Sequence, residues 1–125
     1  ILKTANFKYL IFSNLSLKDM YRQYKLCDIL LFSSLYEGFG LPIIEAQAVG
    51  RPVVTTNYGS MKEISNGSAC LVNPKDPSSI CAGIEKIIKN KKYRDYLVAK
   101  GFKNVERFKA QKIGRDYVSL YKNFI

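Results

Sequence analysis

Ile29-Leu30-Leu31-Phe32-Ser33-Ser34-Leu35-Tyr36-Glu37-Gly38-Phe39-Gly40-Leu41-Pro42-Ile43-Ile44-Glu45-Ala46 is the stretch from which the rest of the chain is read. An apolar run, a glycine-bearing turn and a second apolar run opened by proline spell a strand, a loop and the start of a helix. Pro42 suits a first helical turn, where its missing N–H would have no partner anyway. Gly38 and Gly40 can adopt positive φ, and without a Cβ they let a ligand approach the backbone. The N–H groups of Phe39, Gly40 and Leu41 then lie free at a helix start, where the dipole favours an anion such as phosphate. A glycine–x–glycine turn is also the plain signature of a tight strand-to-helix connection. The two acids add to it: Glu37 stands just before the glycines and Glu45 one helical turn inside. A carboxylate accepts two hydrogen bonds in fixed geometry, which suits adjacent hydroxyls of a ribose or another sugar. Each acid has a blander reading too, Glu45 as a dipole-stabilising residue and Glu37 as a solvated loop acid.

Downstream, Gly50 reads as the residue just past the helix, and Arg51-Pro52 stops it. A strand follows over 53–56. Asn57-Tyr58-Gly59 makes a turn, and Ser60-Met61-Lys62-Glu63 spells a capping box. Asn66-Gly67 ends that short helix, and 69–72 is a further strand. Asp76-Pro77 opens a helix with the apolar stripe Ile80, Ile84, Ile87 and Ile88. The next helix, about 93–108, uses Tyr93, Tyr96, Leu97 and Val105, and the last uses Ile113, Tyr117, Leu120, Tyr121 and Phe124. Upstream, residues 7–12 (FKYLIF) read as a short strand. Ser16 caps a helix with Asp19 in its first turn, and Leu17, Met20, Tyr21 and Tyr24 form one apolar face ending near Cys27. The run 28–32 is apolar throughout, as expected of a strand buried on both faces of a parallel sheet. Strands alternating with helices predict an α/β fold with a right-handed, mostly parallel sheet and a helical tail. Ligands of such sheets bind beyond the carboxyl ends of the strands. The glycine loop, the 55–60 turn and the Ser13-Asn14 segment are expected there.

The 125 residues suffice for one domain with a real core. The chain begins at Ile1, so it reads as a fragment or domain of a longer protein, and its apolar runs are too short to cross a bilayer. Cys27, Cys70 and Cys81 show no metal-type spacing and histidine is absent, so the thiols are expected to be reduced and to fill space as small apolar groups. The net charge of +10 is unevenly spread: residues 1–85 carry 8 basic and 7 acidic side chains, residues 86–125 carry 12 and 3. The basic excess therefore belongs to the tail. A solvated lysine face, attraction to an anionic membrane surface and nucleic-acid binding all account for such a tail. The spacing of Tyr93, Tyr96, Phe102 and Phe108 fits a helix core better than a base-stacking platform. A non-catalytic nucleotide- or polyanion-binding module thus stands as the alternative to an enzyme.

The run from Glu37 to Ala46 resembles the glutamate–seven residues–glutamate signature of retaining glycosyltransferases of family 4, the group 1 transferases. Tyr24-Lys25-Leu26-Cys27-Asp28-Ile29 resembles the family's lead-in, and Ala48-Val49-Gly50-Arg51-Pro52-Val53-Val54 its helix end and next strand. Residues 59–63 and 71–77 correspond as well, so the likeness extends over nearly the whole chain.

The resemblance implies a Rossmann-like parallel sheet with flanking helices: the C-terminal half of a GT-B-type two-domain enzyme, truncated at its start, with a core over about 7–90 and helices over about 91–125. It implies that Glu37 is catalytic and contacts the transferred sugar. It implies that Gly38, Phe39, Gly40 and Leu41 meet the sugar and diphosphate of a nucleotide-sugar donor, and that Glu45 holds the ribose hydroxyls. The family needs no metal and no other cofactor. The implied partners are the donor, a saccharide or lipid-linked acceptor and an N-terminal domain. The expected setting is surface polysaccharide or lipopolysaccharide synthesis in the cytoplasm, with peripheral contact at the inner face of the membrane, and nucleic acid is not an expected partner. The family's diphosphate-neutralising arginine and lysine precede the first strand expected here, so no residue of this chain takes that role. Ser60 stands where the family usually has a second glycine, and the tryptophan common after Phe108 is absent. By itself the fragment is expected to be inactive.

Overall fold

The computed structural model describes residues 8–124. Three strands, β1 (Leu30–Phe32), β2 (Val53–Thr56) and β3 (Cys70–Val72), form one parallel sheet in the order β1-β2-β3. Leu30 pairs with Val53 and Leu31 with Val54, while Val54 pairs with Cys70 and Thr56 with Val72. Between and around them run α1 (Leu17–Leu26), α2 (Leu41–Ala48), α3 (Gly59–Ser65), α4 (Pro77–Lys89), α5 (Lys91–Val105) and α6 (Ala110–Lys122), with a short 3-10 turn over Glu106–Phe108.

Alternation along the strands sorts the core into two layers. On one face Val53 joins Ile43, Ile44 and Ala46 of α2 and Met61 and Ile64 of α3, with Tyr24 of α1 packed against them. On the other, Val54, Cys70 and Val72 meet Ile87 of α4 and Leu97 of α5. Most chain signals act where the sequence places them. Ser16 accepts from the Asp19 N–H at the start of α1, and Asp76 caps α4 through the Ser78 N–H. Gly50 takes φ +74°, the Gly50 N–H bonds to Gln47 O and the Arg51 N–H to Ala46 O, the two-bond cap that closes a helix on a left-handed residue. A Cβ at Gly50 would also lie 2.9 Å from the Phe102 ring.

Four expectations are corrected. Residues 8–12 of the expected first strand join no ladder, with Leu10 and Ile11 82% and 78% exposed; Phe7 lies outside the described residues. The run 28–32 is not buried on both faces, since among the described residues β1 is the sheet edge and α4 packs on β2 and β3, leaving Leu31 45% exposed. Ser60 does not cap α3: the helix starts at Gly59 with Tyr58 as its N-cap, and the Ser60 hydroxyl is engaged elsewhere. Gly38 does not take positive φ, whereas Gly40 does, at +93°. Smaller departures follow the same lines. Cys81 is exposed rather than packed, Ile88 and Tyr96 point away from the core, and no residue of α6 is buried.

Candidate functional site

β1 and β2 are parallel and end side by side, so the loops that leave them share one end of the sheet. Two buried hydroxyls join the loops there. Thr55 Oγ1 donates to Phe32 O and Thr56 Oγ1 to Ser34 O, both at 2.7 Å. The chain into the glycine loop is thereby laid against β2 by side chains that β-branching already holds in few rotamers. Neither Ser13 nor Asn14 makes a hydrogen bond to these loops among the described residues.

Glu37 is gripped twice. The Ser34 hydroxyl donates to Glu37 Oε1 at 2.8 Å, and the Ser60 hydroxyl donates to the Glu37 carbonyl at 2.6 Å. This is the use that takes Ser60 away from capping, and it ties the start of α3 to the loop. Glu37 Oε2 has no partner among the described residues. Gly38 follows with open space around the position a Cβ would occupy. Gly40 then turns the chain into α2 in a left-handed conformation that a side chain would strain. No side chain caps α2, and among the described residues no acceptor meets the N–H groups of Phe39, Gly40 or Leu41. These donors sit at the positive end of the helix dipole. Phe39, half exposed, is met edge-on by Phe108 at 5.8 Å between ring centroids, with the Arg107 guanidinium 5.1 Å from the centre of the Phe108 ring.

Glu45 lies on α2, half buried, and accepts from the Tyr24 hydroxyl at 2.8 Å through Oε2. Burial first, and the Glu45 hydrogen bond and charge after it, push the Tyr24 phenol well above its ordinary range, so it remains a donor. Cys27, whose thiol donates to Tyr24 O at 3.3 Å, is also raised, chiefly by burial. A raised thiol is a poor nucleophile, in keeping with a packing role. Behind Glu45, buried Gln47 donates to Ser68 Oγ and O, and accepts from Asn104 of α5, which also donates to Ile64 O. Arg107 completes the network on Asn104 Oδ1 at 2.7 Å. Thus α2, which carries Glu45, is fixed by paired polar groups to α5 and to the segment after α3, and to α3 by apolar packing.

The structure therefore gathers Glu37, Gly38, Phe39, Gly40, Leu41 and Glu45 onto one loop and the helix it opens. Sequence reasoning missed their supports. Tyr24 stands in the sequence as part of an apolar helix face and as the start of the Tyr24-to-Ile29 lead-in, and neither reading gives it a partner. Residues 55–60 are expected beside the loop and Phe108 in a helix core, but what Thr55, Thr56 and Phe108 touch lies on other elements and is not legible from their neighbours. A cavity of about 600 Å³ opens at the amino ends of the strands, away from this loop. Its charged lining is Asp28, Arg51, Arg94 and Asp95, two cations balanced by two acids, so its charge selects no anion.

Residues 3–104 match the glycosyl transferases group 1 family. The chain is 34% identical over 102 residues to an uncharacterized glycosyltransferase of Methanocaldococcus jannaschii, covering 79% of this chain and 26% of that protein. It is 30% identical over 105 residues to the O-antigen chain mannosyltransferase B of Escherichia coli, covering 84% of this chain and 28% of the relative. Among solved structures, a sucrose-phosphate synthase from Thermosynechococcus elongatus superposes with a TM-score of 0.71 at 27% identity, over 82% of this chain and 26% of that one. The chain thus spans about a quarter of the length of each of these three proteins. With a Rossmann-like parallel sheet, the glycine loop at its carboxyl end and a family match over most of its length, the chain belongs to the group 1 glycosyl transferases.

Proposed function

We propose that this chain is the donor-binding part of a retaining glycosyltransferase, holding a nucleotide-sugar for transfer to a saccharide or lipid-linked acceptor bound largely by a preceding domain. One observation carries the reading. Glu37 and Glu45 flank a glycine loop whose N–H groups meet no acceptor among the described residues, and each accepts from one protein hydroxyl through one carboxylate oxygen while the other oxygen has no partner among those residues. Glu45 accepts from the ribose hydroxyls and Glu37 from the transferred sugar. The N–H groups of Phe39, Gly40 and Leu41 face the diphosphate, and the open space over Gly38 belongs to the donor. Departure of the nucleoside diphosphate is assisted electrostatically by these preorganised donors and by an arginine and a lysine from upstream. No metal takes part, and full activity after exhaustive chelation is the expected result. An O-antigen chain mannosyltransferase and a capsular polysaccharide biosynthesis glycosyltransferase among the relatives favour a surface glycan as product.

In the full-length enzyme Glu45→Ala is expected to lower kcat/KM about hundredfold, the equivalent of one or two lost charge-assisted hydrogen bonds. An unchanged kcat/KM overturns the role of Glu45. The isolated chain is expected to catalyse no transfer. A salt-sensitive gel shift with nucleic acid, with no competition by a nucleoside diphosphate, would favour the polyanion-binding alternative instead.

A further inference from the structure

We infer that Tyr24 is a positioning residue for donor recognition: its hydroxyl fixes the Glu45 carboxylate so that Oε1 is presented to the ligand's ribose. The inference rests on the donor-binding reading above. Tyr24 and Glu45 lie 21 residues apart, on α1 and α2, and meet at 2.8 Å. Tyr24 is the only residue that donates to the Glu45 side chain among the described residues. Glu45 is half buried and has three rotatable side-chain bonds, so without that contact its carboxylate is free to sample several orientations. A recognition group must be held to within about half an ångström to act as one. Tyr24 is suited to the task because its ring is anchored. It packs against the layer that contains Ile43, Ile44 and Met61, and the Cys27 thiol bonds its backbone carbonyl.

The bond also sets what Glu45 can accept. A carboxylate has about four lone-pair sites. Tyr24 takes one of them on Oε2, so Oε1 is the oxygen left wholly to the ligand. Removing the hydroxyl while keeping the ring should therefore cost ribose recognition in particular.

The test is equilibrium binding to the full-length enzyme of uridine, guanosine and adenosine diphosphates, each compared with its 2′,3′-dideoxy form. For whichever base binds, Tyr24→Phe is expected to weaken the ribose form about tenfold, as loss of one charge-assisted hydrogen bond would. The dideoxy form should be bound as by wild type. Glu45→Gln should erase the same preference, and the double variant should lose no more than Glu45→Gln alone, because Tyr24 acts only through Glu45. If Tyr24→Phe keeps the wild-type preference while Glu45→Gln loses it, the Tyr24 inference falls and the donor reading stands. If Tyr24→Phe weakens both forms equally, Tyr24 is structural only. If Glu45→Gln retains the preference, or no diphosphate binds, the role of Glu45 fails and that of Tyr24 with it.

Discussion

The loop-and-helix segment 37–48 and the final helix α6 are both short and carry exposed apolar side chains, yet they are held in opposite ways. The first is fixed at nearly every turn, by Ser34 and Ser60 on Glu37, Tyr24 on Glu45, Asn104 on Gln47 and Gly50 against Phe102. The second packs chiefly on the 3-10 turn before it and buries no residue. Its apolar side chains, Ile113, Tyr117 and Leu120, fall on one side at helical spacing, and Lys112, Arg115, Ser119 and Lys122 on the other. The cations of α6 therefore lie opposite Ile113, Tyr117 and Leu120. Four tail-region lysines pair with carboxylates three or four residues away, at exposed positions where such pairs contribute little. Exposure at the loop goes with a rigid frame behind it, whereas exposure at α6 goes with none. A ligand site needs the first arrangement.

Substitutions probe this contrast directly, the largest effects being expected where α2 is framed. Gln47→Leu should destabilise the chain by about 3 kcal/mol in denaturant unfolding, since Asn104 and Ser68 lose a buried partner. A loss below half of that would mean that the network does not hold α2. Gly83→Val should cost about 2 kcal/mol by the same measurement, because a Cβ there meets Val72 Cγ1 at 2.6 Å where α4 lies on the sheet. Ser60→Ala should cost about 1 kcal/mol and loosen Glu37, visible as faster amide exchange at 37–40. Tyr117→Ser should stay within about 0.5 kcal/mol in this chain. A larger loss in the full-length enzyme than in this chain would show that α6 docks on the remainder of the molecule.

pH offers a finer probe of the same frame. The Tyr24 phenol has a raised folded-state pKa, so its bond to Glu45 is fully present below the ordinary tyrosine range and lost only as pH rises through the higher folded value. Ribose preference should accordingly persist up to and beyond about pH 10, the ordinary tyrosine midpoint. A decline centred near about pH 10 would show that Tyr24 titrates normally and is not held as described.

The helices, most of their caps and the three strands that form were legible because each depends on residues within a few positions of one another. Ser16, Pro42, Gly50 and Asp76 act through their own neighbours on the chain. The line of candidate site residues was legible for the same reason, as it occupies nine consecutive positions from Glu37 to Glu45. The capping box at Ser60 misled because its local chemistry was correct but a carbonyl 23 residues away competed for the hydroxyl. The 28–32 run misled because its composition suits burial on both faces, and whether both are covered depends on which helices lie over an edge strand.

By itself, then, the sequence determined an α/β parallel sheet, a glycine loop between two acids, and family membership through an extended motif. Periodicity, turn chemistry and spacing are properties of the chain read along its length. Only the tertiary structure decided what holds the two acids. Tyr24 reaches Glu45 and Ser60 reaches Glu37 across more than twenty residues, contacts that exist because α1, α2 and α3 pack on one face of the sheet. Such contacts follow from packing in three dimensions, which local residue patterns do not encode.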